Sequence, residues 1–176
     1  MTVVVTTATE AELSELADVA AQTFPLACPP TVTADNIEKF VAANLSAQRF
    51  AGYLDDPDRA VFVAKRDGRI LGYAMLIRGV PDDPDVQLAV TVRPAVELSK
   101  IYVLPQVHGG AVAAALMDAA VGYARDQRAE CVWLGVNKEN QRAQRFYTKS
   151  GFTVSGTKTF RLGGHIENDY VMVRPL

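Results

Sequence analysis

Cysteine is scarce in this chain of 176 residues: Cys28 and Cys131 are its two, far apart. They form no C-x-x-C pair, so neither a zinc site nor a redox motif is indicated, and no metal is expected. Spectator thiols in a reducing cytoplasm are the expectation. A surplus of charge is also missing. The net charge is -2 and the pI is about 5.7, so no basic face invites a nucleic acid. Long apolar runs are absent too. No stretch approaches the roughly 20 residues of a membrane span. No basic segment leads into a long apolar run, so no signal peptide is expected. Repeats, low-complexity tracts and linkers are lacking, which makes residues 1–176 one domain in this reading.

What remains is an ordinary globular composition, 49% hydrophobic and 22% charged, enough for a substantial core. Val3 to Thr6 reads as a first strand. Thr9 and Glu12 form a capping box, opening a helix with Leu13, Leu16, Val19 and Ala20 on one face. Pro25, Pro29 and Pro30 are expected to break it into a loop. Thr33 caps a second helix with Ile37, Phe40, Val41 and Leu45 inward, and residues 46–54 read as a third. Residues 60–65 and 70–77 flank Asp67-Gly68, a hairpin signal. Residues 81–85 read as a polar loop. A strand over 96–103 then leads through a Gly turn to a helix over 111–127. A strand over 131–136 follows, then a helix over 140–150. Residues 153–160 and 166–173 form a closing antiparallel pair.

The informative stretch is Glu97 to Phe152. A strand that stops and a helix that starts leave unpaired N–H groups facing the gap, and with the helix dipole they suit an anion. His108, Gly109, Gly110, Ala111, Val112 and Ala113 occupy that turn, and small residues there permit close backbone approach. A Gly-Gly by itself is more often a plain connector. Downstream come Trp133-Leu134-Gly135-Val136, Asn140-Gln141-Arg142-Ala143 and Phe146-Tyr147-Thr148-Lys149-Ser150-Gly151-Phe152. Asn140 is placed to cap its helix.

This order resembles the GCN5-related N-acetyltransferases, the GNAT family. The resemblance implies a mixed α/β fold with a twisted, mostly antiparallel sheet. It also implies a splayed central strand pair, flanking helices and acetyl-CoA as co-substrate. The family pattern Gln/Arg-x-x-Gly-x-Gly/Ala fits Gln106 to Ala111 literally. The register His108 to Ala113 keeps the family's distance from Pro105 and is preferred. The resemblance also assigns Ile101, Tyr102 and Val103 to acetyl-CoA, with the Val103 N–H near the thioester carbonyl, and Asn140 to the pantetheine arm or a nearby water. Tyr147 then touches the cofactor and assists the departing thiol, as a neutral phenol can; the alternative is a core aromatic.

An amine acceptor is mostly protonated at neutral pH and needs a base. Glu97 is the candidate, with residues 97, 99, 101 and 103 expected on one strand face. A surface glutamate is the equal alternative, and His108 and His165 are rivals. Residues 96–174, with the tail Gly156 through Phe160, Gly163 and Asp169 to Met172, are similar to the PaiA-type polyamine acetyltransferases. That suggests a small cationic acceptor held by some of Asp55, Asp56, Asp58, Asp82, Asp83, Asp85, Glu167 and Asp169. Other amines, a protein N-terminus or lysine, and a CoA-binding module without catalysis stay open. The oligomeric state is open as well, a homodimer included.

Overall fold

A computed structural model of the chain describes residues 2–107 and 110–176. Seven strands form one sheet in the order β1-β2-β3-β4-β5-β7-β6. They are β1 Val4–Thr7, β2 Arg59–Arg66, β3 Arg69–Arg78, β4 Ala95–Val103, β5 Cys131–Asn137, β6 Thr153–Leu162 and β7 His165–Pro175. The helices are α1 Leu13–Ala27, α2 Ala34–Asn44, α3 Ala47–Asp55, α4 Pro84–Ala89, α5 Ala111–Asp126 and α6 Gln141–Lys149. Every strand pairing is antiparallel except β4 with β5.

Local chemistry explains most boundaries. The capping box at Thr9 and Glu12 forms, and Lys65 on β2 binds the same carboxylate at 2.7 Å. Thr33 and Ser46 accept from Asn36 N–H and Arg49 N–H at the starts of α2 and α3. Asp67 and Gly68 both take positive φ in the β2–β3 turn, which the Asp-Gly pair permits. Two local expectations fail. Helix α1 runs through Pro25 to Ala27. The proline sits in the last turn, and Ala21, whose carbonyl loses its donor, is exposed to water. The loop expected over residues 81–85 ends at residue 83. Asp83 accepts from Asp85 N–H at 2.9 Å and Pro84 takes the first helical position, opening α4.

The sheet is packed on both faces. Val96 and Leu98 of β4 join Leu116, Met117, Ala120 and Ala124 of α5 on one side. Leu16, Val19, Phe24 and Leu45 pack with Val61, Val63 and Tyr73 on the other. A smaller cluster gathers Trp133 with Val86 and Val90 around α4.

One irregularity decides which residues meet. The β3–β4 register slips between Met75 and Leu76, which face Lys100 and Leu98, so Ser99 is an extra residue on β4. A bulge of this kind resets the alternation. The expected face of 97, 99, 101 and 103 is therefore wrong. Ile101 and Val103 lie with Val96 and Leu98 on the α5 side. Tyr102 packs with the α1–α3 side, and Glu97 and Lys100 share its face.

Candidate active site

β4 and β5 pair only over Ala95–Glu97 with Cys131–Trp133. Beyond that point each keeps its outer neighbour: β4 pairs with β3 as far as Val103, and β5 with β7 as far as Asn137. The facing edges diverge, and backbone groups along a strand without a partner are free to bind something else. A cleft of about 710 Å³ opens there. Ile101, Tyr102 and Val103 line one wall; Gly135, Val136, Asn137, Asn140, Ala143, Phe146 and Tyr147 line the other.

The N-terminus of α5 closes one end. Gly110 is its N-cap, and the first intrahelical bond is Ala114 N–H to Gly110 carbonyl at 2.8 Å. The N–H groups of Ala111, Val112 and Ala113 thus precede the helix ladder and suit an anion. Ala111 is helical, so its methyl carries no positive-φ strain. Gly110 and Ala113 line the cleft, whereas the Val112 side chain is buried in the core. A Cβ on Gly110 would meet nothing within 4 Å, so room remains for a bulky anion. These features fit a pyrophosphate. His108 and Gly109 lie outside the described residues.

Tyr147 stands on α6, packed against Phe152 at 6.0 Å and Phe146 at 5.6 Å. Burial raises its phenol above the ordinary value, so it is protonated at neutral pH. Asn140 caps α6, its side-chain oxygen accepting from Ala143 N–H at 3.2 Å, and also lines the cleft.

Glu97 lines the cleft where the strands part. Burial raises its carboxyl, with Lys100, Lys158 and Arg59 opposing. Lys100 lies on the same face; burial lowers its ammonium, with Glu97 opposing. Lys158 reaches Asp169 directly across β6 and β7 at 3.4 Å. Burial raises Asp169, and Lys158 opposes that. Glu167 is held by His165 at 2.5 Å and by Asn137 Nδ2 at 2.8 Å. His165 therefore rims this cluster. Of the eight acidic residues proposed for a cation, only Glu167 and Asp169 line the cleft. Asp55, Asp56, Asp58, Asp82, Asp83 and Asp85 do not.

Sequence reasoning missed Lys100, Lys158 and the C-terminal end of α1. Phe24, Leu26 and Cys28 wall the cleft because α1 passes through Pro25. Burial, then the Glu167 charge, pushes the Cys28 thiol up to about 11. It stays a thiol at neutral pH and is a poor nucleophile. No group of three or more metal-ligating side chains occurs among the described residues, and no described helix is long and apolar enough to cross a membrane.

Diverging parallel strands with a helix N-terminus at the wedge and a tyrosine on the wall define an open-sheet cleft that can admit a long anionic ligand. A model of the acetyltransferase (GNAT) family matches residues 21–152. An uncharacterized N-acetyltransferase of Mycobacterium tuberculosis is 60% identical over 165 residues, covering 94% of this chain and 98% of its own. The fold is also that of the PaiA N-acetyltransferase of Thermoplasma acidophilum, solved in complex with coenzyme A. That likeness has TM-score 0.79 and 17% identity, over 100% of both chains. A ribosomal-protein-alanine N-acetyltransferase of Brucella melitensis has TM-score 0.63 and 21% identity, over 98% of this chain and 99% of that one. The chain belongs to the GNAT family of acetyltransferases. It is an N-acetyltransferase with acetyl-CoA as co-substrate.

Proposed function

We propose that this chain transfers the acetyl group directly from acetyl-CoA to the primary amine of a small acceptor. The observation that carries this reading is the wedge between β4 and β5, with Glu97 at its apex and Tyr147 on its wall. The N–C bond forms as the C–S bond breaks. Glu97, through water, takes the proton the amine releases. Its raised pKa suits a base working nearer neutrality than an ordinary carboxylate. Tyr147 donates a hydrogen bond to the leaving sulfur and keeps its own proton, because burial makes the phenol a weaker acid than a free one. The Val103 N–H is assigned to the thioester carbonyl, whose developing charge such a donor stabilises. Ile101 and Tyr102 flank it. The α5 N-terminus, with Gly110, Ala111, Val112 and Ala113, is assigned to the pyrophosphate together with the preceding His108 and Gly109, and Asn140 to the pantetheine arm. Direct transfer is in keeping with Cys28, which lines the cleft and stays a thiol at neutral pH.

A polyamine is the finer reading suggested by the PaiA resemblance. The charges in the cleft support it weakly. Asp169 is paired with Lys158, and Glu167 already accepts from Asn137 and contacts His165, so Glu97 is the carboxylate of the cleft with no such contact among the described residues. Free Cys28 and Cys131 fit a cytoplasmic setting. The test is thiol release from acetyl-CoA with a panel of spermidine, spermine, monoamines, amino acids and a peptide N-terminus. Turnover of a small amine supports the reading. Turnover of the peptide alone, or of nothing while acetyl-CoA binds, overturns it.

A further inference from the structure

Among the described residues, the acceptor half of the cleft holds one carboxylate and one ammonium that form no ion pair within 4.0 Å, each feeling the other only at longer range. Lys158 and His165 engage Asp169 and Glu167, and Arg59 engages Asp56 at 3.1 Å. Glu97 forms no ion pair within 4.0 Å among the described residues; only the more distant charges of Lys100, Lys158 and Arg59 act on it. Lys100 Nζ has a weak bond to the Ser99 carbonyl at 3.4 Å and lies 5.9 Å from the Phe40 ring centre. No carboxylate reaches it among the described residues. Both side chains line the same cleft and are partly buried. The β4 bulge at Ser99 puts them on one face despite their odd spacing.

Half-buried charges without partners are costly unless something else satisfies them. The cofactor is not that partner for Lys100. The proposed pyrophosphate site lies at the α5 N-terminus, and Ile101 and Val103 occupy the α5 side of β4, whereas Lys100 faces away. A polycation would satisfy Glu97 and be repelled by Lys100. A zwitterion satisfies both ends.

We infer that the acceptor is an amine bearing its own carboxylate, with the amine at Glu97 and the carboxylate on the Lys100 ammonium. A single ammonium matches a carboxylate monoanion better than a dianionic phosphate. This rests on the acetyl-transfer reading above and narrows it to amino acids and related amino-carboxylic acids. Burial raises the Glu97 carboxyl and lowers the Lys100 ammonium, and each charge opposes the other's shift.

The experiment compares amines with and without the carboxylate: tyrosine with tyramine, phenylalanine with phenethylamine, β-alanine with ethylamine, and spermidine alongside. Thiol release gives kcat/KM for each. The carboxylate-bearing member should lead in at least one pair by about 10- to 100-fold, as a charge-assisted hydrogen bond implies. Lys100→Met should collapse that ratio towards one, and Lys100→Arg should restore part of it. The wild-type comparison stands even if Lys100→Met fails to fold. Preference for the bare amines or spermidine, or an unchanged ratio in folded Lys100→Met, overturns the inference and leaves acetyl transfer intact. No thiol release with any amine overturns the acetyl-transfer reading itself.

Discussion

Gly72 sits where β3 holds β4 in place, opposite Val103. A Cβ there would lie 2.6 Å from the Tyr102 carbonyl oxygen and 3.2 Å from Val103 Cα. Both are backbone, so no side chain can swing away. Bringing 2.6 Å to an ordinary 3.4 Å contact requires β4 to move by 0.8 Å. Gly72→Ala should therefore cost about 1–3 kcal/mol through overpacking, offset by about 0.4–1 kcal/mol from a less flexible unfolded chain. The net loss is then at most about 2.6 kcal/mol, and at about 2–4 °C per kcal/mol for a chain of this size Tm should fall by up to roughly 10 °C. The same displacement moves the proposed thioester contact at Val103. Misplacements near 1 Å can cost about 100-fold in rate, so kcat should drop more than the modest stability loss explains. Thermal melts with and without acetyl-CoA, together with thiol-release kinetics below Tm, measure both effects. Gly52→Ala is the control: it is an exposed position of α3 with open space around its Cβ and should stabilise by about 0.5–1 kcal/mol. A Gly72→Ala protein with wild-type Tm and kcat would refute the claim that β3 sets the position of this edge.

Three further outcomes follow from the site. Gly110→Asp puts a favourable N-cap residue at the start of α5 but a negative charge at the proposed pyrophosphate site. The variant should fold at wild-type Tm yet lose the acetyl-CoA-dependent rise in Tm; a full rise would remove this turn from the cofactor site. Tyr147→Phe should lower kcat by about 10- to 100-fold, the usual worth of a hydrogen bond to a developing charge, while acetyl-CoA still raises Tm. A wild-type kcat, with chemistry rate-limiting, would make Tyr147 a packing residue. Glu97 must be ionised to act as a base, so its raised pKa moves the acid limb of kcat/KM above the ordinary carboxylate value near 4.3. Activity is lost as pH falls through that raised value, and Glu97→Gln should abolish this limb; a limb that persists assigns it to another group.

Much of the cofactor half was legible in the chain. Capping residues at Thr9, Thr33, Ser46 and Asn140, the Asp67-Gly68 turn, and a helix beginning at Ala111 are local events. They depend on residues a few positions apart, which is why periodicity and capping rules could find them. The order of strand, Gly turn and helix, with Asn140 and Tyr147 downstream, pointed to the family for the same reason. Pro25 and Pro84 misled because a proline breaks a helix interior but is tolerated where its missing N–H costs little.

The acceptor half was decided only by tertiary structure. The bulge at Ser99 exists because β4 must pair with β3 in two offset registers, and no period in the sequence announces it. It turned Ser99 out of the expected face and set Lys100 beside Glu97. The loss of pairing after Glu97 and Trp133 is likewise a relation between strands about 35 residues apart, and it alone opens the cleft. Asp169 and Glu167 read as free acids along the chain. Their partners Lys158 and His165 reach them through β6–β7 pairing and the turn between these strands. Sequence specifies which charges a site can draw on. Which of them remain unpaired depends on register, and register is set by the packing of the whole sheet.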